Sequence, residues 1–377
     1  MTARTRAIAK KEAKQLFRDK RFLGVLLFFP VFYLGLFGYA VNFDIHNIRI
    51  AILDKDNSYE SRELTNSMLS TSYFTLTKNI SSDGEIKKFL DQKDAQVVMV
   101  IPDNFSEKLH SKQNVKLQFL IDGVDGNAAT IISNYVRGVA LSYSMEFQTE
   151  MLARLGKNVY SPIQLEPIFW FNPALESSRF FIPGLIAIIL IVTGVVSVAL
   201  SLVKEKERGT IEQINVSSIN IVELLIGKSL PYIILCLVDA VFILVLGYLL
   251  FGVVVEGSML LLFITTLIFI AASTSIGIFI SAISDSQQVA FSIALFASLL
   301  PSVILSGFVF PIESMPFIIK IITNITPSKF FIVLLRGIIL KGAGFFAMWD
   351  QVVYLILYII IFLGLASIVS KKKEKAA

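Results

Sequence analysis

Cysteine, histidine and charge are all scarce in this sequence of 377 residues. The single cysteine, Cys236, lies in an apolar run, so no disulfide can form within the chain and the fold does not depend on an oxidising compartment. The two histidines, His46 and His110, stand apart in polar context and are too few to build a metal site. No stretch has the spacing of a phosphate-binding loop. Gly227-Lys228-Ser229 comes nearest, but the motif needs a glycine where the sequence has Val222, and the residues between are apolar. Serine–histidine–acid catalysis lacks a histidine near a serine elbow, and no loop gathers the acids that a metal-dependent transfer requires. The chain therefore reads as a non-enzyme with no cofactor of its own. Charged residues make up only 17 % of the sequence against 55 % apolar ones, with a mean hydropathy of +0.71. A soluble domain carries more charge than this, so the chain is expected to be an integral membrane protein. The net charge of +5 does not point to nucleic acid, because the basic residues gather beside apolar runs, as membrane topology requires.

Long apolar runs are what the sequence has in abundance. Residues 180–203 hold twenty-four uncharged side chains in a row, enough to cross a hydrocarbon layer of roughly 30 Å as one helix. Further spans are expected at 22–41, 229–255, 259–283, 289–310 and 349–369, six in all. The first is long for a signal segment and has no small-residue cleavage site after it, so it is expected to remain in the protein. Residues 1–21 carry eight basic side chains against Glu12 and Asp19. Such a flank stays cytoplasmic, and the basic tail 370–377 places the other terminus on the same side. The first segment also fits a helix lying on anionic lipid, with Ile8, Leu16 and Phe17 dipping into the interface.

Between the first two spans, residues 42–179 hold 14 Lys/Arg and 17 Asp/Glu. Apolar strand-like runs at 48–53, 73–77, 95–101 and 115–121 alternate with helix-compatible segments. That order predicts βαβ units and an α/β domain with a largely parallel sheet, on the outer side of the membrane. After the turn at 122–126, apolar residues from Ala128 to Tyr143 recur at helical spacing. Pro162, Pro167 and Pro173 punctuate an extended return to the bilayer, with Trp170 as an interfacial anchor.

Four features beyond the spans invite a functional reading. The first is Lys204-Glu205-Lys206-Glu207-Arg208-Gly209-Thr210-Ile211-Glu212, a mixed-sign cluster against the end of the second span, within the inner segment 204–228. Charged flanks are ordinarily solvated loops. Here residues 210–214 continue as a helix, and Ile211, Ile214 and Val216 give it an apolar edge suited to a soluble partner. The second is Asp239, near the middle of the third span. An intramembrane carboxylate is costly unless it meets water or a partner. It reads either as a residue of a translocation path or as a protonated acid bonded to Ser273, Thr274 or Ser275. The third is the outer segment 311–348, with Pro311, Glu313, Pro316 and Arg336. It reads as two short helices dipping partway into the bilayer, their basic residues turned outward. The fourth is the outer domain itself.

In order along the chain, Phe181-Ile-Pro183-Gly184, Glu207-Arg208-Gly209-Thr210-Ile211-Glu212, Gly227-Lys228 with Pro231, Phe310-Pro311-Ile-Glu-Ser-Met-Pro316, and Arg336-Gly337 with Lys341-Gly342 resemble the transmembrane permease subunit of ABC-2 type exporters. The resemblance is to the subgroup with a large extracytoplasmic domain after the first span, and it covers nearly the whole chain. It implies that residues 205–212 form a coupling helix seated in a cytoplasmic ATPase subunit, which would carry the ATP and Mg. It implies re-entrant helices over 311–348 near the exit, and a second permease copy to close the path, as a homodimer or heterodimer. Inner-membrane location, contact with membrane lipid and a periplasmic or membrane-fusion partner for the outer domain follow from the same likeness. The cargo implied is amphipathic, a drug, lipid or similar molecule. The alternative is a non-transporting surface receptor or secretion-accessory protein, whose outer domain binds a partner while the spans only anchor it.

Overall fold

The computed structural model describes residues 3–40, 47–71, 73–111, 113–154, 170–172, 177–209 and 221–376. The chain divides into two compact units, residues 1–42 with 169–377 and residues 43–168.

In the smaller unit, strands β1 (Ile48–Asp54), β2 (Phe74–Asn79), β3 (Val97–Ile101) and β4 (Gln118–Ile121) form one sheet in the order β2-β1-β3-β4. β1 runs parallel to both β2 and β3, whereas β4 is antiparallel to β3. The sheet is therefore mixed, with an antiparallel edge strand on a parallel core. Side chains alternate along β1, so that Ile48, Ile50 and Ile52 face one core and Ala51 and Leu53 the other. The first core is covered by α3 (Tyr59–Ser70), α5 (Phe105–His110) and α6 (Gly126–Arg154) through Leu64, Met68, Phe105, Ile132, Val136 and Tyr143. The second is closed by Ile86, Phe89 and Leu90 of α4 (Asp83–Asp91). Ser58 caps α3 by accepting the Ser61 N–H at 3.0 Å.

The larger unit opens with α1 (Ala3–Arg18) and α2 (Lys20–Ala40). It continues with α7 (Ser177–Glu207), α8 (Ile221–Phe251), α9 (Met259–Ile283) and α10 (Gln287–Leu305). It ends with α11 (Phe317–Ile322), α12 (Pro327–Lys341) and α13 (Trp349–Ala376). Among the described residues, α2, α7, α8, α9, α10 and α13 are long and apolar enough to cross a membrane. They are not equivalent. The most apolar window of α7 is 94 % buried inside the protein, against 17–50 % for the other five. α7 is thus the hub, and the others present apolar faces outward. Helix α8 begins at Ile221, so Glu223 and Lys228 lie within the helix itself rather than in a loop before it.

Small residues let helices approach the hub, as they do between helices in lipid. A Cβ on Gly277 of α9 would lie 2.5 Å from the Val195 carbonyl oxygen of α7. Facing α7, α12 buries Phe330, Phe331, Leu334, Leu335 and Ile338. The Phe317–Ile325 segment meets α12 at 91°. Pro327 opens α12, where its missing N–H costs little, and Gly342 ends it in the left-handed conformation.

Candidate functional site

Helix α1 buries Thr5, Glu12 and Leu16, three positions on one helical face. Leu16 packs among Val198 and Leu202 of α7 and Tyr232 and Leu235 of α8. Glu12 rides on the same face, so an acid is carried into the protein. There its carboxylate accepts from the Lys228 ammonium at 3.0 Å, from the Tyr232 hydroxyl at 3.1 Å and from the Ser201 hydroxyl. Both members of the ion pair are almost wholly buried, with side chains 3 % and 4 % exposed. Glu205 stands 3.5 Å from Lys228 and also takes Lys11 at 3.2 Å. Two acids and two ammonium groups therefore balance, and every oxygen of Glu12 has a donor. A buried charge is tolerable only under such pairing. Ser201 and Glu205 are one turn apart on α7, as are Lys228 and Tyr232 on α8, which brings both pairs to one place.

The other acid of the N-terminal segment is used in the same way. Asp19, between α1 and α2, accepts from Lys204 at 3.0 Å and from the Phe22 N–H at 3.2 Å. The Lys204 hydrogen bond, helped by that N–H, holds the Asp19 carboxyl below its ordinary range.

The next two residues of α7 each reach a different helix end. Lys206 donates to the carbonyls of Ser281, Ala282 and Ser284, closing the C-terminus of α9 with a cation. Glu207 accepts the backbone N–H of Gln287 at 2.6 Å and its side-chain amide, placing an anion at the N-terminus of α10. Glu205, Lys206 and Glu207 thus tie α7 to α1 and α8, to α9 and to α10 respectively. Helix α7 stops after them. Arg208 and Gly209 form an exposed turn, Gly209 with a φ of +68°. Next to this turn a polar cavity of about 530 Å³ is lined by Glu12, Asp19, Lys204, Glu205, Arg208 and Gln287 among others. Thr210, Ile211 and Glu212 lie outside the described residues, as do Ile214, Val216, Pro162, Pro167 and Pro173.

The remaining candidates are dispersed. Asp239 is on α8, eleven residues beyond Lys228, 1 % exposed, and neither carboxylate oxygen has a hydrogen-bond partner among the described residues. Ser273, Thr274 and Ser275 each donate to a carbonyl of their own helix instead. Pro311 precedes a short helical turn, Ile312–Ser314, that holds the exposed Glu313, and Pro316 precedes α11. Arg336 differs from the outward-turned cation read from sequence. Its guanidinium donates to the carbonyls of Gly307 at 3.1 Å and Phe180 at 3.2 Å, and stacks 3.7 Å from the Phe180 ring centroid.

A chain whose central helix is enclosed by its own neighbours, and whose charged end gathers four other helices, has the build of a machine part rather than an anchor. Residues 20–368 match the family described as ABC-2 family transporter protein. The chain belongs to that family. It is 32 % identical over 378 residues to the probable multidrug ABC transporter permease YbhS of Escherichia coli (strain K12), covering 98 % of this chain and 97 % of that protein. It is 31 % identical to the probable multidrug ABC transporter permease YbhR of the same strain, over 91 % and 92 % of the two chains. The inner membrane transport permease YhhJ is 29 % identical over 90 % of both. This ABC-2 protein is therefore a multi-pass permease subunit of an ABC exporter, whose ATPase resides in a partner and which works as part of a dimer.

Sequence reasoning did not pick out Glu12, Ser201, Lys228 or Tyr232 as parts of this ABC-2 permease's charged end. The available signal was Glu12 itself, an acid in an otherwise basic helix on the face that carries Leu16.

Proposed function

We propose that the partner ATPase takes hold of the permease around Arg208 and the residues that follow it, and that the clasp of Glu205, Lys206 and Glu207 spreads the resulting displacement. The observation that carries this reading is that three consecutive side chains of one helix each bond to a different neighbour. A push on the end of α7 would then reach α1, α8, α9 and α10 together. In this arrangement both termini and the clasp are cytoplasmic, and the α/β unit is extracytoplasmic, available to a periplasmic or membrane-fusion partner. The bent pair of α11 and α12 forms the re-entrant outer element, in an inner-membrane protein that pairs with a like or related copy. Relative motion of α7 and α8 exposes Asp239, whose unpartnered oxygens then line the path of an amphipathic cargo.

The discriminating residue is Arg208, since Glu207 is occupied with Gln287. Arg208→Glu is expected to abolish co-purification with the ATPase while the permease still inserts and folds. An Arg208→Glu protein that retains full ATPase binding and full nucleotide-driven transport would refute the docking assignment.

A further inference from the structure

The α/β unit contains an open cavity of about 970 Å³ between α5, β4 with its lead-in segment, and the stretch of α6 from Ser133 to Met151. This is the size of a pocket that takes up a small organic ligand, about 300–1,000 Å³. The larger part of its wall is apolar and aromatic, from Phe105, Leu117, Phe119, Tyr143, Phe147 and Met151, with polar side chains such as Gln113 and Gln148 making up the rest. Of those six apolar side chains only Phe105 and Tyr143 are buried. The other four are half-covered: Leu117 and Phe119 pack against the core on one side, Phe147 lies against Tyr143, and each keeps part of its apolar surface open. Tyr143 is tied down, its hydroxyl donating to the Glu60 carbonyl at 3.1 Å, so that wall is rigid.

The charge of the lining is one-sided. Lys116 and Arg137 both line the cavity, and among the described residues no carboxylate does. Residues 42–179 as a whole have more acids than bases, 17 against 14, so a lining with two cations and no acid runs against its surroundings. Neither Lys116 nor Arg137 is paired with an acid among the described residues, and both are exposed. An apolar trough with unpaired cations in its lining complements one kind of molecule, a flexible hydrocarbon with an anionic head.

We infer that this cavity is a binding site for a single-chain anionic amphiphile, of the long-chain fatty carboxylate class. The hydrocarbon lies against Phe119, Phe147 and Met151, and the carboxylate meets Arg137 and Lys116. The site belongs to the α/β unit alone and does not depend on the docking assignment of Arg208.

The test uses the purified full-length permease in lipid nanodiscs, a diazirine-bearing palmitate and the matching diazirine-bearing fatty alcohol. After irradiation, labelled peptides are mapped by mass spectrometry. The acid is expected to label residues 113–121 and 133–151, unlabelled palmitate to compete, and the alcohol to label these peptides roughly tenfold less, the worth of two modest charge contacts. The Lys116→Glu, Arg137→Glu double variant is expected to lose that preference while labelling of the membrane helices is unchanged. Equal labelling of the cavity by acid and alcohol, or acid label confined to the membrane helices, would overturn the assignment.

Discussion

Glu12 and Lys228 are 216 residues apart in sequence and 3.0 Å apart in space, and almost nothing of either reaches solvent. The contact welds the first helix of the permease to the third membrane span beside the end of the second. Removing either partner leaves the other charged and buried, which costs about 3–5 kcal/mol. Glu12→Ala and Lys228→Ala are each expected to destabilise the chain by that order. The paired Glu12→Leu, Lys228→Met replacement should recover most of the loss. Denaturation of the four proteins in detergent, treated as a double-mutant cycle, measures the coupling. Strictly additive losses would show that the pair does not act as a unit.

Arg336 makes a second long-range tie, between α12, the start of α7 and the turn after α10. Its planar guanidinium both donates to two carbonyls and covers the Phe180 ring, which an ammonium cannot reproduce. Arg336→Lys is expected to cost about 1.5–3 kcal/mol, the range for hydrogen bonds made by a charged group. Faster amide exchange at Gly307 and at the first turn of α7 should accompany it.

Gly277 and Gly364 make a matched pair for testing helix approach. A methyl group on Gly277 meets the α7 backbone, which cannot yield as a side chain would, whereas Gly364 has nothing within 4 Å of that position. Gly277→Ala is expected to destabilise by about 1–3 kcal/mol through overpacking. Gly364→Ala should be neutral or slightly stabilising, because alanine favours the helix. Thermal unfolding of the two variants beside the parent decides the matter.

In the α/β unit, burial acts to raise the Asp56 pKa, but hydrogen bonds from Ser58 and Ser106 outweigh it and hold the carboxyl below its ordinary range. The Ser106 N–H donates to it at 3.1 Å, tying the loop after β1 to the start of α5. A pKa lowered by folding gives stability that is present above the unfolded value of 3.8 and is lost as pH falls through the lower folded value. Protection of the Ser106 amide is expected to hold at neutral pH and to weaken in that acid window. Asp56→Ala should abolish the protection at every pH, read by hydrogen exchange.

How much of this was legible beforehand depended on whether a residue's role is local. The apolar runs gave six helices of spanning length because span length is set by the bilayer and not by neighbours. The strand–helix alternation of residues 48–121 was equally plain, since a strand covered on both faces reads as a short continuous apolar run, as β3 does. The direction of β4 was not, because an edge strand can pair either way and nothing in Gln118–Ile121 encodes the choice. The start of helix α8 at Ile221, well before the apolar run at 229, was hidden because Glu223 and Lys228 look like loop residues to a hydropathy reading. Only the fold shows that Lys228 is neutralised by Glu12 and Glu205. Glu205, Lys206 and Glu207 read in the sequence as a surface for another protein, and their bonds within the chain were not visible there. The partners that engage them lie on four different helices, information that no window of sequence contains.

The nearly complete enclosure of α7 has a bearing on how this permease responds to its host bilayer. The rest of the protein covers the second of the six long helices almost completely and leaves much of the other five open. Changes in acyl-chain length or fluidity must therefore arrive at the hub second-hand, as altered pressure from its neighbours. The hydroxyls of Thr193, Ser197 and Ser201 are tolerated there for the same reason, each buried and donating to an oxygen of the chain itself: that helix is solvated by protein.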